Sequence, residues 1–243
     1  MSETLQRAKQ IQEDLVSMRR HLHAHPELNF VEYETSKFAA DKLAQLGFSV
    51  RTLGGKTGLV ADLGEGERTV AIRCDMDALA ISELNRSVYA SKNQNVMHAC
   101  GHDAHLAVTL GVAQLIAKSA GEHGSSSNQL SLPGRLRIIV QPGDDEAGQP
   151  GAVTMIEAGA LEGVTSVLSL HVDGTIPTGK VGIVASPAMA SVQHFVVEFK
   201  DDGEVEEFAD TSLATANLVR TLYGIPALIA PAADEMSLSV YAM

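Results

Sequence analysis

Helical segments alternate with short apolar runs along most of this chain of 243 residues. Apolar residues at helical spacing predict helices over residues 3–24, Thr35–Leu46 and Asp103–Lys118. Short apolar runs predict seven strands: Phe48–Thr52, Leu59–Leu63, Val70–Cys74, Arg135–Gln141, Val167–Val172, Val181–Ala185 and Phe195–Phe199. This alternation predicts an α/β fold, with a central twisted mixed sheet flanked by helices.

Charge and cysteine content narrow the range of partners and compartments. The net charge is −12 and tryptophan is absent, which argues against nucleic acid or an anionic membrane as a partner. We find neither a signal-peptide pattern at Met1 nor a long apolar run, so we expect a cytoplasmic protein with reduced thiols. A disulfide between Cys74 and Cys100, the two cysteines, is the alternative at this point.

The run from His98 to His105 is dense in metal-ligand side chains, with one thiol, three imidazoles and one carboxylate. Thiolate and imidazole bind zinc and similar metals, and Gly101 lets the backbone turn so that Cys100 and His102 can face one centre. This run predicts a metal site at a helix entrance. A cysteine hydrolase that uses Cys100 with His102 or His105 is the rival interpretation, and a chelator would distinguish the two.

Further ligand-type residues follow three of the predicted strands. They are Asp75, Asp77, Asp144, Asp145, Glu146 and His171. Sites in α/β sheets gather at the carboxyl ends of the strands, so we expect these side chains to meet. A hydrolytic metal centre needs both metal ligands and a carboxylate that deprotonates water, and this set offers both.

Five stretches of the chain carry a family resemblance. They are RRHLHAHPELNFVEYETSKF (Arg19–Phe38), RCDMDALAISE (Arg73–Glu83), MHACGHDAH (Met97–His105), QPGDDEAGQPGA (Gln141–Ala152) and LHVDGTIPTGKV (Leu170–Val181). Because these stretches occur in this order and at this spacing, the chain resembles the M20 family of metallopeptidases and amidohydrolases. The branch it resembles most contains hydrolases of N-acyl amino acids, indole-acetyl amino acids and aminobenzoyl-glutamate.

The resemblance implies a role for each of these residues. The metal ligands would be Cys100, as a bridging thiolate, together with His102, Asp145 and His171. They would hold Zn²⁺ or Mn²⁺, or Co²⁺, with up to two ions in the site.

Two catalytic residues are implied as well. Asp144 would be the general base, and Asp77 would orient the metal-binding side chains. Glu146 could replace Asp144 by a slip of one residue, and Asp75 is the neighbour of Asp77 in the motif.

The resemblance also implies the reaction, which is metal-dependent hydrolysis of the amide bond in N-acyl amino acids or related small amides and dipeptides. The implied partner is therefore a small-molecule substrate.

The chain departs from the family pattern in three respects: the acidic motif after the fourth strand, the lid domain and the C-terminal end. The family has Gln-Pro-Ala-Glu-Glu where this chain has Gln141-Pro142-Gly143-Asp144-Asp145. We expect one catalytic domain over residues 1–243, with an N-terminal part at 1–199, a linker at 200–209 in place of the family's lid domain, and a partial return segment at 210–243.

The lid histidine and a C-terminal histidine ligand of the family have no counterpart in this sequence. A truncated homologue that is weakly active or inactive, yet still binds metal or a partner, is therefore the alternative. Because family members often dimerise through the lid, we expect a monomer.

Overall fold

The computed structural model describes residues 3–53, 57–123, 132–144, 150–183, 197–198 and 211–229. The helices are α1 (Glu3–Gln10), α2 (Gln12–Ala24), α3 (Tyr33–Gln45), α4 (His102–His123), α5 (Gly151–Glu157) and α6 (Thr211–Ile229). The strands are β1 (Ser49–Thr52), β2 (Leu59–Leu63), β3 (Thr69–Asp75), β4 (Arg135–Gln141) and β5 (Val164–Ser169). The chain divides into two compact units, residues 1–183 and residues 184–243, and α6 belongs to the second.

The five strands form one mixed sheet in the order β1-β2-β4-β3-β5. Strand β2 is antiparallel to both β1 and β4, whereas β3 runs parallel to β4 and to β5. In the register Asp75 lies opposite Gln141, and Arg73 lies opposite Ser169. The carboxyl ends of β3, β4 and β5 therefore meet at one edge, as expected from the sequence.

Alternate residues of the central strands face two separate cores. On one face Ala61, Cys74 and Ile138 join a large cluster with apolar residues of α3 and α4. On the other face Val60 and Ile139 pack with Met155 of α5. Since successive side chains of a strand point to opposite faces, this pattern requires helices on both sides of the sheet. The predicted α/β class, with a mixed sheet flanked by helices, is confirmed.

Two predicted elements differ from the structure. The helix predicted over residues 3–24 is two helices that separate at Ile11, where the backbone has φ −101° and ψ 7° and its N–H bonds to Ala8 three residues back. The fifth strand ends at Ser169 rather than Val172, because the pairing with β3 stops at Arg73. His171 consequently lies in the loop after β5, which lets its side chain turn toward α4.

Several predictions fall mainly outside the described residues. The strands predicted at Val181–Ala185 and Phe195–Phe199 lie partly outside them, and their described residues, 181–183 and 197–198, are not in a strand. The segment 200–209 lies outside them, and α6 is the described part of the segment 210–243. The single catalytic domain and the missing lid thus stay predictions. Among the described residues, no helix has the length and apolar character needed to span a membrane.

Candidate metal centre

The turn that begins α4 brings the thiol of Cys100 next to the loop after β5. Gly101 has φ +94°, in the left-handed region that glycine adopts without strain. A Cβ on Gly101 would lie 2.3 Å from Cγ2 of Val172, so a larger residue would push this loop away. Glycine at this position therefore permits the close approach of Cys100 to His171.

Cys100, His102 and His171 converge at this edge of the sheet. One ligand atom from each lies within 4.8 Å of the others, and Sγ of Cys100 is 3.4 Å from Nε2 of His171. His102 is buried, Cys100 is half-buried and His171 is exposed, so a cation could reach the site from solvent. A thiolate with two imidazoles is a donor set that suits zinc and related metals, which is what the sequence predicts for these three residues.

Hydrogen bonds orient both imidazoles of this group. Nδ1 of His102 lies 2.9 Å from the backbone oxygen of Asp77 and 3.1 Å from its Oδ1, and Nδ1 of His171 lies 2.7 Å from the backbone oxygen of Val172. Oxygen acceptors require the N–H on Nδ1, so the lone pair of each neutral ring is on Nε2. Metal-binding histidines are commonly oriented in this way.

A second group, Asp75 with His102 and His105, has ligand atoms equally close together, but its hydrogen bonds differ. Nδ1 of His105 donates to Oδ1 of Asp75 at 2.6 Å, and its Nε2 accepts the N–H of Val172 at 3.0 Å. Oδ2 of Asp75 accepts from Arg73 at 2.8 Å. Both ring nitrogens of His105 and both oxygens of Asp75 are therefore used within the protein, so this group is structural.

The same contacts set the ionisation of Asp75. Its burial opposes ionisation, but the hydrogen bond from His105 and the nearby charges of His102 and Arg73 outweigh it, so the pKa of Asp75 is lowered. An ionised carboxylate at this position holds both His105 and Arg73 in place.

Asp77 connects the imidazole of His102 to the loop after β4. Its Oδ1 accepts from His102, and its Oδ2 accepts the backbone N–H of Asp144 at 3.1 Å. The carboxylate predicted to orient the metal-binding side chains thus contacts one predicted ligand and the predicted base. Asp77 therefore lies between the imidazole of His102 and the backbone of the proposed base.

The predicted base, Asp144, is held by two donors that the sequence did not identify. Its Oδ1 accepts from Arg73 Nη2 and, at 2.6 Å, from Nε2 of Gln141. Nε of Arg73 also donates to Gln141 at 3.0 Å. Both residues are in the quoted motif stretches, but only the parallel pairing of β3 with β4 shows that they share a carboxylate. Asp145 and Glu146 lie outside the described residues.

The other polar residues of the His98–His105 run, His98 and Asp103, belong to neither group of potential ligands. Asp103 accepts from His23 Nδ1 and from Arg19 Nε, both at 2.8 Å, and so connects α4 to α2. His23 also contacts Glu83 at 3.1 Å. His98 is buried, and burial lowers its pKa to about 4, which keeps the ring neutral. Of the three imidazoles in the run, His102 alone joins the candidate centre.

The two thiols occupy different environments. Both are free, so the alternative of a disulfide is wrong. Cys74 lies in the large core, where burial raises its pKa to about 12. Cys100 is half-buried beside the two imidazoles. Only Cys100 has the surroundings of a metal-binding or reactive thiol.

Comparison with known proteins identifies the family of this chain. Residues 71–236 match the model of Peptidase family M20/M25/M40. This match includes most of β3, the His98–His105 run, the loop after β4 and His171, so the chain belongs to that family, as its motifs predict.

Individual relatives match a large part of the chain. An N-acetyl-L-cysteine deacetylase of Bacillus subtilis is 42% identical over 195 residues, which cover 79% of this chain and 44% of that protein. An N-acyl-L-amino acid amidohydrolase of Geobacillus stearothermophilus is 38% identical, over 80% of this chain and 50% of that protein.

A solved structure from Bacillus subtilis, described as a dinuclear metal-binding peptidase of the M20 family, is 37% identical with a TM-score of 0.64. The match covers 72% of this chain and 47% of that one. The chain thus spans about half the length of these relatives.

Proposed function

We propose that this chain carries the metal-binding part of a metal-dependent amidohydrolase, which cleaves the amide bond of N-acyl amino acids or related small dipeptides. The observation that carries the proposal is the convergence of Cys100, His102 and His171, with each imidazole turned so that Nε2 can bind a cation. The names of the two curated relatives, a deacetylase and an amidohydrolase, support the reaction class.

Cys100, His102 and His171 would hold the metal, with Asp145 as the predicted carboxylate ligand. Zn²⁺ suits this donor set, and Mn²⁺ and Co²⁺ are the other predicted ions, with up to two bound. When bound, such an ion polarises a carbonyl and lowers the pKa of a water molecule. The Nδ1 contacts of His102 and His171 place the ring N–H on Nδ1, which leaves Nε2 of each ring to bind the ion.

Asp144 is the proposed general base. Since Arg73 and Gln141 both donate to Oδ1, that oxygen is held in place and Oδ2 is the atom that takes the proton of the attacking water. The same oxygen would return the proton to the leaving amine. Glu146 is the alternative base, one step further along the same loop.

The remaining proposals concern partners and location. The net charge of −12 supports a small-molecule partner rather than nucleic acid or an anionic membrane. A monomeric state and a cytoplasmic location stay predictions; light scattering of the purified chain tests the first.

The test is turnover of N-acetyl amino acids and dipeptides by the purified chain after loading with Zn²⁺, Mn²⁺ or Co²⁺. We expect turnover in the wild type and in Cys74→Ala, whose thiol lies in the core, and none in Cys100→Ala. Turnover that persists in Cys100→Ala contradicts the proposal. Absence of turnover in a metal-loaded wild type contradicts it for this chain.

One contact favours a second candidate, a thiol hydrolase. Sγ of Cys100 lies 3.4 Å from Nε2 of His171, which is the geometry of a thiol beside a base. The partners predicted for a thiol mechanism, His102 and His105, use Nδ1 and both ring nitrogens, respectively, in other contacts. Activity that survives prolonged dialysis against EDTA would favour the thiol mechanism, and its loss and recovery on adding metal would favour the metal mechanism.

A further inference from the structure

Two consecutive backbone N–H groups after β4 are each accepted by a different carboxylate. The N–H of Asp144 donates to Oδ2 of Asp77 at 3.1 Å, and the N–H of Gly143 donates to Oε1 of Glu32 at 3.0 Å. Asp77 belongs to the candidate centre described above. Glu32 has no part in it so far, although it fixes the residue directly before the proposed base.

Glu32 is a fully buried carboxylate at the start of α3. Its Oε2 accepts the hydroxyl of Thr57 at 2.7 Å, and the backbone oxygen of Thr57 accepts Oγ of Ser36 at 2.6 Å. Burial raises the pKa of Glu32, and its hydrogen bonds to Thr57 and Gly143 partly oppose this effect. Burial of a carboxylate costs folding free energy unless its oxygens accept hydrogen bonds. The donors from Thr57 and Gly143 therefore hold this side chain in one position.

The loop at Gly143 also fits closely against Phe30. Gly143 has φ +56°, and a Cβ there would lie 2.6 Å from Cε2 of the Phe30 ring. Phe30 itself has φ +58°, which is uncommon for a bulky residue. The segment just before α3 therefore meets the loop after β4 by ring contact and by the Glu32 hydrogen bond, and this combination leaves the backbone of Gly143 little freedom.

We propose that Glu32 is a positioning residue, which fixes the backbone of Gly143 and thereby sets the reach of the Asp144 carboxylate. This inference rests on the proposed function, in which Asp144 is the base. A displacement of about 1 Å at a catalytic group can cost ~10²-fold in rate, so loss of this contact is expected to reduce turnover strongly. The candidate ligands Cys100, His102 and His171 lie on other segments and are not fixed by Glu32.

The test variant is Glu32→Gln, which keeps size and shape but replaces the charged acceptor of the Gly143 N–H by a neutral amide, whose oxygen accepts more weakly and whose NH₂ group cannot accept. The matched control is Glu27→Gln. The carboxylate of Glu27 accepts the N–H groups of Glu34 and Thr35 and the hydroxyl of Thr35, at the same end of α3, and so holds the helix start rather than the loop at Gly143. We expect kcat to fall by about 10- to 100-fold in Glu32→Gln, with KM and metal content unchanged. In Glu27→Gln we expect lower stability but unchanged kcat for the folded, metal-loaded protein.

Amide hydrogen exchange at Gly143, measured by NMR, gives a readout that does not need turnover. Exchange at Gly143 is expected to accelerate in Glu32→Gln and to stay slow in Glu27→Gln. Unchanged exchange at Gly143 in Glu32→Gln, or equal losses of kcat in the two variants, would overturn the inference. If the wild type has no turnover, the proposed function is contradicted, and Gly143 exchange alone decides whether Glu32 fixes this loop.

If Glu32→Gln does not fold, Thr57→Val provides the milder variant. It removes the hydroxyl that holds Oε2 and leaves Oε1 on Gly143. We expect a smaller fall in kcat and a smaller acceleration of exchange at Gly143. No change in either quantity would overturn the inference.

Discussion

His102 and His105 lie one turn apart on α4, and each bonds through Nδ1 to one aspartate of the pair Asp75 and Asp77. They differ at the other nitrogen. Nε2 of His105 accepts the N–H of Val172, whereas Nε2 of His102 belongs to the group that converges with Cys100 and His171. Two histidine–aspartate pairs of the same composition thus have different roles, one structural and one suited to metal.

The peptide groups of Val172 create this difference. Its N–H donates to His105, and its carbonyl accepts from Nδ1 of His171. The N–H of Val172 therefore occupies Nε2 of His105, which excludes this histidine as a ligand. The carbonyl of the same residue orients His171 so that its Nε2 faces the candidate centre. Which histidine binds metal is decided by the partner of its second nitrogen, and residue type alone does not show this.

The largest expected effect is a difference in Zn²⁺ affinity between variants of the two histidines. His102→Asn removes a ligand, and we expect Zn²⁺ affinity to fall by at least ~100-fold, whereas His105→Asn should keep the wild-type stoichiometry. Isothermal titration with Zn²⁺ measures both variants. Equal affinity losses in the two would show that the groups are not distinct.

Stability should show the reverse ranking. His105→Asn disturbs the buried carboxylate of Asp75 and the N–H of Val172, so we expect a loss of about 3 kcal/mol in the free energy of unfolding. His102→Asn, compared in metal-free protein, should lose less because Asp77 keeps its bond from the N–H of Asp144. Urea unfolding of the metal-free proteins gives both values. A larger loss in His102→Asn would reverse the assignment of structural and metal roles.

Substitution of the two aspartates should affect Zn²⁺ affinity differently, as substitution of their histidine partners does. Asp77→Asn weakens the contact that orients His102, and a reduction of ~10- to 100-fold in Zn²⁺ affinity is expected. Asp75→Asn is the matched control, since the hydrogen bonds of Asp75 to His105 and Arg73 leave it outside the ligand set, and its affinity should equal that of wild type. A weaker site in Asp75→Asn than in Asp77→Asn would contradict this.

Thiol labelling gives the smallest and simplest contrast. Iodoacetamide should modify Cys100 in the native protein and leave Cys74 unmodified, because Cys74 is buried and its pKa is about 12. Zn²⁺ should protect Cys100 in wild type and in His105→Asn but not in His102→Asn. Mass spectrometry of the labelled peptides identifies the sites. Labelling of Cys74 before Cys100 would be inconsistent with the described environments.

The sequence predicted much of this arrangement because strand periodicity and strand-end chemistry are local signals. Strand β4 has the predicted bounds Arg135–Gln141, and the parallel pairing of β3, β4 and β5 brings Asp75, Gln141 and the loop of His171 to one edge. The separation of α1 from α2 at Ile11 was missed because apolar spacing continues through it.

The hydrogen-bond partners in the site could not be predicted in the same way. Arg73 and Gln141 on Asp144, Glu32 on Gly143, and the N–H of Val172 on His105 all connect segments distant in the chain. Such partners depend on register and on loop geometry, which a single sequence does not encode in a local pattern. The family motifs indicated which residues meet, and the structure shows which of their atoms are already used.

The central claim is that Cys100 and His102 bind one metal while His105 does not. Titration of the reduced protein with Co²⁺, followed by the thiolate-to-cobalt charge-transfer absorption, tests it most directly. We predict that the band forms in wild type and in His105→Asn and is lost in Cys100→Ser and His102→Asn. A band that persists in Cys100→Ser, or that is lost in a folded His105→Asn, would contradict the account.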